Sequence, residues 1–470
     1  MNHLAALVAG LLLAASDHPL HWWWLQFVAF VPFWWSLWRQ RAAGRRTWPL
    51  GLCFAAAYVS MTLLAVGLAL PIVVAAVAML GQWALVAALA GRHLDRGAIA
   101  GPLAAAAMLT LVEIAIWHAV PMFGTAQCFV RPLSAAPWLV AFVAYTGVGG
   151  VVFAVTAVQA LLVSALRGPS RGLPGAAIAL LLGVVGTLDA VRWSRPPGPV
   201  QRLGVFGWGE TSPQSPDGSG FVERAAARAA KEGCALLVTP ETALWVGERD
   251  RARTFFGGVA AQHGLPLALG VWHAPTDDNR IWFFDGNGDL AGEYRKTHLV
   301  PWLEDYAAGD GTLALVPFAG ERLGGMICQD DNFTDVARGY GRAGVPLVAV
   351  PTNDWPAIRH VHFENSVFRA IENGYAVARA ASAGISALVS ARGEVLCALD
   401  HVGHAVVGSD PTAAPVLAAD AHSDAATLLV ANVRLGDGVP TVYARFGDTP
   451  MLLLGATLVL FSLRRRRAPA

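Results

Sequence analysis

The chain has 470 residues, of which 55% are hydrophobic and only 14% charged, against roughly a quarter charged in ordinary soluble domains. Its formal net charge of +1 argues against a general nucleic-acid binder. Its five cysteines (Cys53, Cys128, Cys234, Cys328, Cys397) have neither the CxxC spacing of a metal site nor the density of a disulfide scaffold.

From the start of the chain, apolar runs predict eight membrane spans, at about 3–16, 20–38, 49–67, 70–91, 98–119, 136–166, 173–192 and 449–463. No charged residue occurs from Thr47 to Gly91 or from Pro132 to Leu166. A cleaved signal peptide is the rival reading of the first run, and Met1-Asn2-His3 lacks the basic start such a signal uses. Arginines cluster at Arg39–Arg45, at Arg92 and Arg96, at Arg167 and Arg171, and at Arg464–Arg467, always after an even-numbered span. The positive-inside rule then puts those ends in the cytoplasm and the segment between spans seven and eight on the other side. Trp22-Trp23-Trp24 and Trp34-Trp35 suit a membrane interface. Glu113, inside the fifth span, is a functional candidate or, more blandly, a neutral or paired acid near His118 or Arg131.

After a Pro-rich linker (Pro196, Pro197, Pro199) the apolar runs shorten to strand length. Strands are expected at Leu203–Phe206, Ala235–Val238, Leu265–Val271, Ile281–Phe284, Leu313–Val316, Gly325–Cys328, Pro346–Val350, Ala376–Arg379, Ala387–Ser390 and Val395–Ala398. Helices are expected at Val222–Glu232, Asp250–His263, Asp335–Arg342 and Phe363–Asn373. The predicted organisation is a seven-helix membrane domain over 1–194, an α/β domain over 195–445, and a last span with an Arg-rich tail over 446–470.

Three residues follow strands of the α/β domain: Glu241, Lys296 and Cys328. Active sites of α/β folds collect at such strand ends. A thiolate attacks a carbonyl, a carboxylate takes the thiol proton, and an ammonium beside a backbone N–H stabilises the oxyanion. Singly, a cysteine ending an apolar strand is most often packing, a glutamate there a cap, and a lysine a solvated charge. Lys296 is one of only two lysines among 34 basic Lys and Arg residues; the other, Lys231, reads as a solvated helix residue. Cys234 and Cys397 read as packing residues, and His360 and His362, on an expected loop without a carboxylate partner, make a poor metal site.

Thr239-Pro240-Glu241-Thr242, Tyr294-Arg295-Lys296-Thr297-His298-Leu299 and Gly325-Met326-Ile327-Cys328-Gln329-Asp330 resemble the three catalytic motifs of the nitrilase superfamily. Phe368-Arg369-Ala370-Ile371-Glu372-Asn373-Gly374 is similar to its late helix. With Val300-Pro301-Trp302-Leu303-Glu304, Asn353-Asp354-Trp355, Tyr443–Asp448 and the surrounding spans, the chain resembles the apolipoprotein N-acyltransferase family, the membrane-embedded branch.

That resemblance implies an αββα sandwich attached to a multi-span helical bundle in the bacterial inner membrane, with the catalytic domain on the periplasmic side. It implies Glu241 as base, Lys296 and the Gln329 N–H as oxyanion donors, and Cys328 as nucleophile. Glu304, Asp330, His298 and Trp302 would support them. Cys328 would take an acyl chain from a phospholipid as a thioester and pass it to the amine of a diacylated apolipoprotein. No cofactor, metal or nucleic acid is implied, and a monomer is expected. Where the family has an aromatic residue and Glu after the cysteine, this chain has Gln329 and Asp330, and Leu203–Glu210 lacks the usual Gln-Gly-Asn. A membrane-tethered amidohydrolase with the same triad, or an inactive paralogue that binds lipid or lipoprotein, are the alternatives.

Overall fold

The computed structural model describes residues 1–66, 70–120, 124–167, 171–210, 219–408, 412–417 and 425–464. The chain forms two compact units, one of Met1–Ser194 with Phe446–Ala470, the other of Arg195–Arg445.

The first unit is helical: Asn2–Ser16, Phe30–Ala42, Trp48–Val66, Leu70–Ala90, Ala100–Ala119, Val148–Arg167, Gly172–Ser194 and Thr449–Arg464. Among the described residues, four helices are long and apolar enough to cross a membrane: Ile72–Ala90, Ala100–Ala119, Val148–Arg167 and Gly172–Ser194. Two expected spans are corrected. The run at 20–38 is a 3-10 turn, Trp23–Phe27, followed by a helix of 13 residues, Phe30–Ala42. At 1.5 Å per residue that helix covers about 20 Å, short of the roughly 30 Å hydrocarbon core. The run at 136–166 begins with 3-10 turns at Arg131–Ala135 and Pro137–Leu139, and Gly147 at φ +65° breaks the chain before Val148–Arg167 starts. Proline at the head of each turn and a left-handed glycine make a continuous helix impossible there.

Small residues let these helices approach: a Cβ on Gly10 would strike the Phe54 carbonyl, and one on Gly51 the Trp83 carbonyl. Phe30, Phe33, Phe54, Trp83 and Phe129 form one aromatic cluster, with neighbouring ring centroids from 4.4 to 6.3 Å apart. Trp34 belongs to this interior rather than to an interface, since it is fully buried and its indole N–H donates to Thr156 O at 3.1 Å. Trp22 and Trp24 are exposed. The expected partners of Glu113 are also corrected: its carboxylate accepts from Gln82 Nε2 at 2.6 Å, while Arg131 pairs with Asp17 at 2.7 Å and His118 with Asp448 at 2.9 Å.

The second unit contains fifteen described strands. They are β1 Val200–Gly207, β2 Leu236–Val238, β3 Leu244–Val246, β4 Leu267–His273, β5 Asp278–Phe284, β6 Leu290–Arg295, β7 Val316–Phe318 and β8 Glu321–Gly325. They continue with β9 Leu347–Asn353, β10 Ala376–Ser382, β11 Ile385–Val389, β12 Val395–Asp400, β13 Val406–Val407, β14 Thr412–Leu417 and β15 Ala426–Arg434. One sheet runs β14-β15-β1-β2-β4-β5-β6, with β3 on β4; the other runs β13-β12-β11-β10-β9-β8-β7. The centres are parallel (β1/β2/β4 and β8/β9/β10) and the flanks antiparallel, so the central strands of each sheet end on the same side.

Alternation along β5 shows how the layers stack. Trp282 and Phe284 join Phe221, Phe256 and Val259 in the core beneath helices Ser219–Lys231 and Arg249–His263. Ile281 and Phe283 point the other way, where their side chains fill the space a Cβ on Gly325 of the second sheet would need. Helices Thr334–Arg342 and Arg359–Asn373 cover the far side of that second sheet, the Tyr340 hydroxyl donating to Gly325 O at 2.6 Å. The domain is thus an αββα sandwich.

Three local expectations change. The strand expected at Gly325–Cys328 is β8, ending at Gly325, and the one expected at Leu313–Val316 is β7, starting at Val316. His360 and His362 sit in the first turn of helix Arg359–Asn373 rather than on a loop. Sequence reading missed β15, which pairs with β1 over eight registered residues and lies between β14 and β1 in its sheet.

Candidate active site

Each key side chain is placed by a strand end. Fully buried β2 delivers Thr239-Pro240-Glu241, and Gly270 of β4 leaves room for the passing Pro240 carbonyl. Antiparallel β5 and β6 deliver Lys296, whose N–H donates to Asn279 O at 2.9 Å. After β8 the chain turns sharply into a 3-10 segment, Cys328–Asn332, with Cys328 at φ +45°. A left-handed non-glycine residue costs about 1–2 kcal/mol. The surrounding bonds hold it there, which points Cys328 out of the strand line.

Lys296 is completely buried, its Nζ donating at 2.7 Å to Glu241 Oε1 and at 2.7 Å to Glu304 Oε1. Burial alone would lower its pKa; the carboxylates of Glu241 and Glu304, with the Cys328 sulfur, overcome this and hold the ammonium well above its usual range. Glu241 is fixed by two further donors, Asn279 Nδ2 on Oε1 at 2.7 Å and Asn353 N–H on Oε2 at 2.8 Å. The Asn353 carbonyl in turn accepts from Cys328 Sγ at 3.8 Å, so the backbone of one residue of β9 touches both carboxylate and thiol. Burial pushes the Cys328 thiol up to about 11 and Glu241 adds to the rise, with Lys296 and His362 pulling back. The resting group is a thiol, which needs a base to become a nucleophile.

The expected supporting residues separate into different roles. Glu304 lies against Lys296, and its Oε2 accepts the Val300 N–H at 2.7 Å, closing its own loop. Asp330 is a brace between the segments that carry Lys296 and Cys328. Its Oδ1 accepts the N–H groups of Thr297 (3.1 Å) and His298 (2.7 Å), next to Lys296. Its Oδ2 accepts the Tyr294 hydroxyl (2.9 Å) and the Ile327 N–H (3.0 Å), next to Cys328. Burial lifts its carboxyl to about 6, so it is ionised at neutral pH, as four donors require. The buried Gln329 side chain accepts from Asn332 Nδ2 at 2.8 Å. The His298 ring turns away from Lys296 to Asp335 (2.9 Å) and stacks on Phe333 at 4.1 Å. Trp302 is 62% exposed at φ +64° and touches none of the three central residues through any bond among those described.

Sequence reading missed Asn279, Tyr306 and a buried cluster behind the cysteine. Asn279 also donates to the Tyr306 hydroxyl at 3.2 Å, and the Tyr306 ring meets Trp272 edge-on at 4.9 Å. In the cluster, His362 bonds Asp354 through Nδ1 at 2.6 Å, and its Nε2 lies 3.1 Å from Cys328 O and 3.2 Å from Asp331. The carboxylate partners expected to be absent are therefore present. Cys328 Sγ, a His362 nitrogen and an Asp354 oxygen lie within 4.8 Å of one another, the spacing of a three-ligand cation site. The second oxygen of Asp354, however, already binds the Arg379 guanidinium at 2.8 Å, and a fixed cation there opposes a metal ion. Cys234 and Cys397 are buried packing residues, and Lys231 lies exposed in its helix, as expected.

Residues 211–408 match the carbon-nitrogen hydrolase family. Similar curated proteins include the apolipoprotein N-acyltransferase of Geobacter metallireducens, 26% identical over 47% of this chain and 45% of that protein. Another is that of Methylococcus capsulatus, 26% identical over 50% of this chain and 47% of that protein. A third is that of Rhodopseudomonas palustris, 29% identical over 41% and 36%. The chain thus spans about half the length of the curated relatives it matches. Among solved structures, an amidase from Nesterenkonia sp. is 22% identical over 55% of this chain and 98% of that one, with a TM-score of 0.41.

Proposed function

We propose, from the premise that this chain is a membrane-helix-bearing member of the nitrilase superfamily, that it is a phospholipid-to-lipoprotein N-acyltransferase. The observation that carries the reading is the convergence of Cys328, Glu241 and Lys296 from three strand ends, with a second carboxylate, Glu304, on the lysine.

The reaction follows from their chemistry. Glu241 takes the Cys328 proton as sulfur attacks the ester carbonyl of a phospholipid. Lys296 and the Gln329 N–H bear the oxyanion. The C–O bond then breaks, Glu241 returns the proton to the departing alkoxide, and a thioester remains on Cys328. The α-amine of a diacylglyceryl-cysteine attacks that thioester, Glu241 takes the amine's proton, and C–S cleavage followed by reprotonation restores the thiol.

A lipid substrate is supported by the loop that carries Glu304, which exposes Trp302 and Leu303 at 62% and 55% and so offers apolar surface beside the charged centre. The arginine clusters support a position in the inner membrane with the catalytic domain on the periplasmic side. The domain division at Ser194 and Arg445 and monomeric action belong to the same proposal.

The test is a covalent intermediate. Full-length protein in detergent, incubated with phospholipid carrying a labelled acyl chain, is expected to form a hydroxylamine-sensitive adduct on Cys328 that Cys328→Ala lacks. No adduct, or an equal one in the variant, overturns the thioester. Adding a diacylated lipopeptide then distinguishes transfer from hydrolysis: a third acyl chain on the peptide supports the proposal, and free fatty acid alone points to the tethered amidohydrolase.

A further inference from the structure

We propose that His362 is a positioning residue: a buried imidazolium, clamped between Asp354 and Asp331, that holds the strained Cys328 turn by its carbonyl and sets the charge felt by the sulfur. The inference rests on Cys328 being the nucleophile.

The geometry is specific. A histidine with both nitrogens beside carboxylates, Nδ1 at 2.6 Å from Asp354 and Nε2 at 3.2 Å from Asp331, is doubly protonated, because a neutral ring would set a bare lone pair against one of those carboxylates. The same Nε2 lies 3.1 Å from the carbonyl of Cys328, the residue at φ +45°. An N–H donated there opposes relaxation of the turn. Ring and sulfur fall in one buried cluster with atoms within 4.8 Å, so a positive charge on the ring acts on a thiolate at short range.

The groups facing His362 are accounted for on every side. Asp331 comes from the turn after β8, Asp354 from the end of β9, Arg379 from β10, and Cys328 itself from the nucleophile turn. Arg379 bridges the two carboxylates, at 2.8 Å to Asp354 and 3.4 Å to Asp331, which leaves two anions and two cations in balance. Burial works against charge on the ring, and Asp354 and Asp331 overcome it to hold the imidazole well above its ordinary pKa.

The ring's charge is read first in the unaltered protein, by the pH dependence of deuterium exchange at its C2 carbon followed by mass spectrometry. His362 is expected to show no titration between about pH 5 and 9, and a midpoint below 7 would overturn the proposal. The effect on sulfur is read from the alkylation rate of Cys328 by iodoacetamide, peptide by peptide, from pH 7 to 9. His362→Gln keeps a donor without the charge. It is expected to lower that rate about tenfold or more at every pH without changing its slope, and to lower the acylation kcat while the phospholipid KM stays within about twofold. Asp354→Asn provides the same reading if His362→Gln does not fold, because the ring then titrates within the range and the rise of the alkylation rate with pH flattens above that midpoint. Alkylation rates and pH profiles identical to the parent in a folded variant would refute it. Neither exchange nor alkylation requires acyl transfer, so these outcomes stand apart from the labelled-phospholipid test.

Discussion

Glu241→Gln removes the proton acceptor with little change of shape. The amide keeps an oxygen for Lys296 and Asn279, while its NH2 faces the Asn353 N–H, donor against donor, so that one bond is lost. What it cannot do is accept the Cys328 proton. With the thiol at about 11, only about one Cys328 in 10⁴ is ionised at pH 7 without a base. Glu241 is itself, after burial, a reason that the thiol is so high, so losing its charge recovers some of that factor. The expected loss in acylation rate at pH 7 is about 10³- to 10⁴-fold, or about 4–5.5 kcal/mol of barrier. The residual rate should rise about tenfold per pH unit from 7 to 9, tracking the thiolate fraction, which the parent rate does not. Single-turnover quench of enzyme with labelled phospholipid measures both quantities. A loss below about tenfold, or a residual rate indifferent to pH, would refute the assignment of Glu241 as base.

Asp330→Asn replaces an acceptor of four bonds with a group that must turn an NH2 toward at least one buried N–H, and is expected to destabilise the catalytic domain by about 2–4 kcal/mol. A lowered thermal midpoint of the full chain in detergent, together with reduced acylation, checks it; an unshifted midpoint would contradict the bracing role. Glu304→Gln removes one of two charges on Lys296 while an amide oxygen still reaches either Lys296 Nζ or the Val300 N–H. Acylation should fall about 10- to 100-fold with little change in thermal midpoint, and retention of more than half the parent rate would remove Glu304 from the site.

The residues legible in the sequence were those whose role is announced by their own strand. Glu241, Lys296 and Cys328 each follow an apolar run, and Lys296 was further marked by the scarcity of lysine. Asn279, Asn353 and His362 carry no such mark. Asn279 sits inside β5, Asn353 acts through its peptide group, and His362 finds Asp354 and Asp331 only once β9 and the turn after β8 lie side by side. The left-handed turn at Cys328 was equally hidden, because cysteine has no preference for that conformation and the neighbours impose it. Strand β15 escaped because it lies more than two hundred residues along the chain from β1, its long-range partner. The helical unit misled in the opposite way. Hydropathy alone reads 20–38 and 136–166 as spans, and the local turns that break them, a 3-10 turn at Trp23–Phe27 in the first and Pro137 and Gly147 in the second, weigh little in such a sum.

The charges around Cys328 explain why the site pairs one lysine with two glutamates rather than one. Glu241, Glu304 and Lys296 together carry one net negative charge, the buried Asp330 carries a second, and Asp331, Asp354, His362 and Arg379 carry none. Ionising the thiol by loss of a proton to water would take the buried total to three negatives, and burial and Glu241 hold it at about 11. Passing that proton to Glu241 leaves the total unchanged: the negative charge moves from carboxylate to sulfur and on to the oxyanion, always beside the same ammonium. Glu304 then keeps Lys296 paired after Glu241 is neutralised, so the lysine never stands as an uncompensated buried cation during attack. An arginine could supply the charge, but not as a compact ammonium that fits a fully buried slot at 2.7 Å from two carboxylates. Constancy of charge along the reaction, more than any single strong bond, is what lets so polar a site work inside the sandwich.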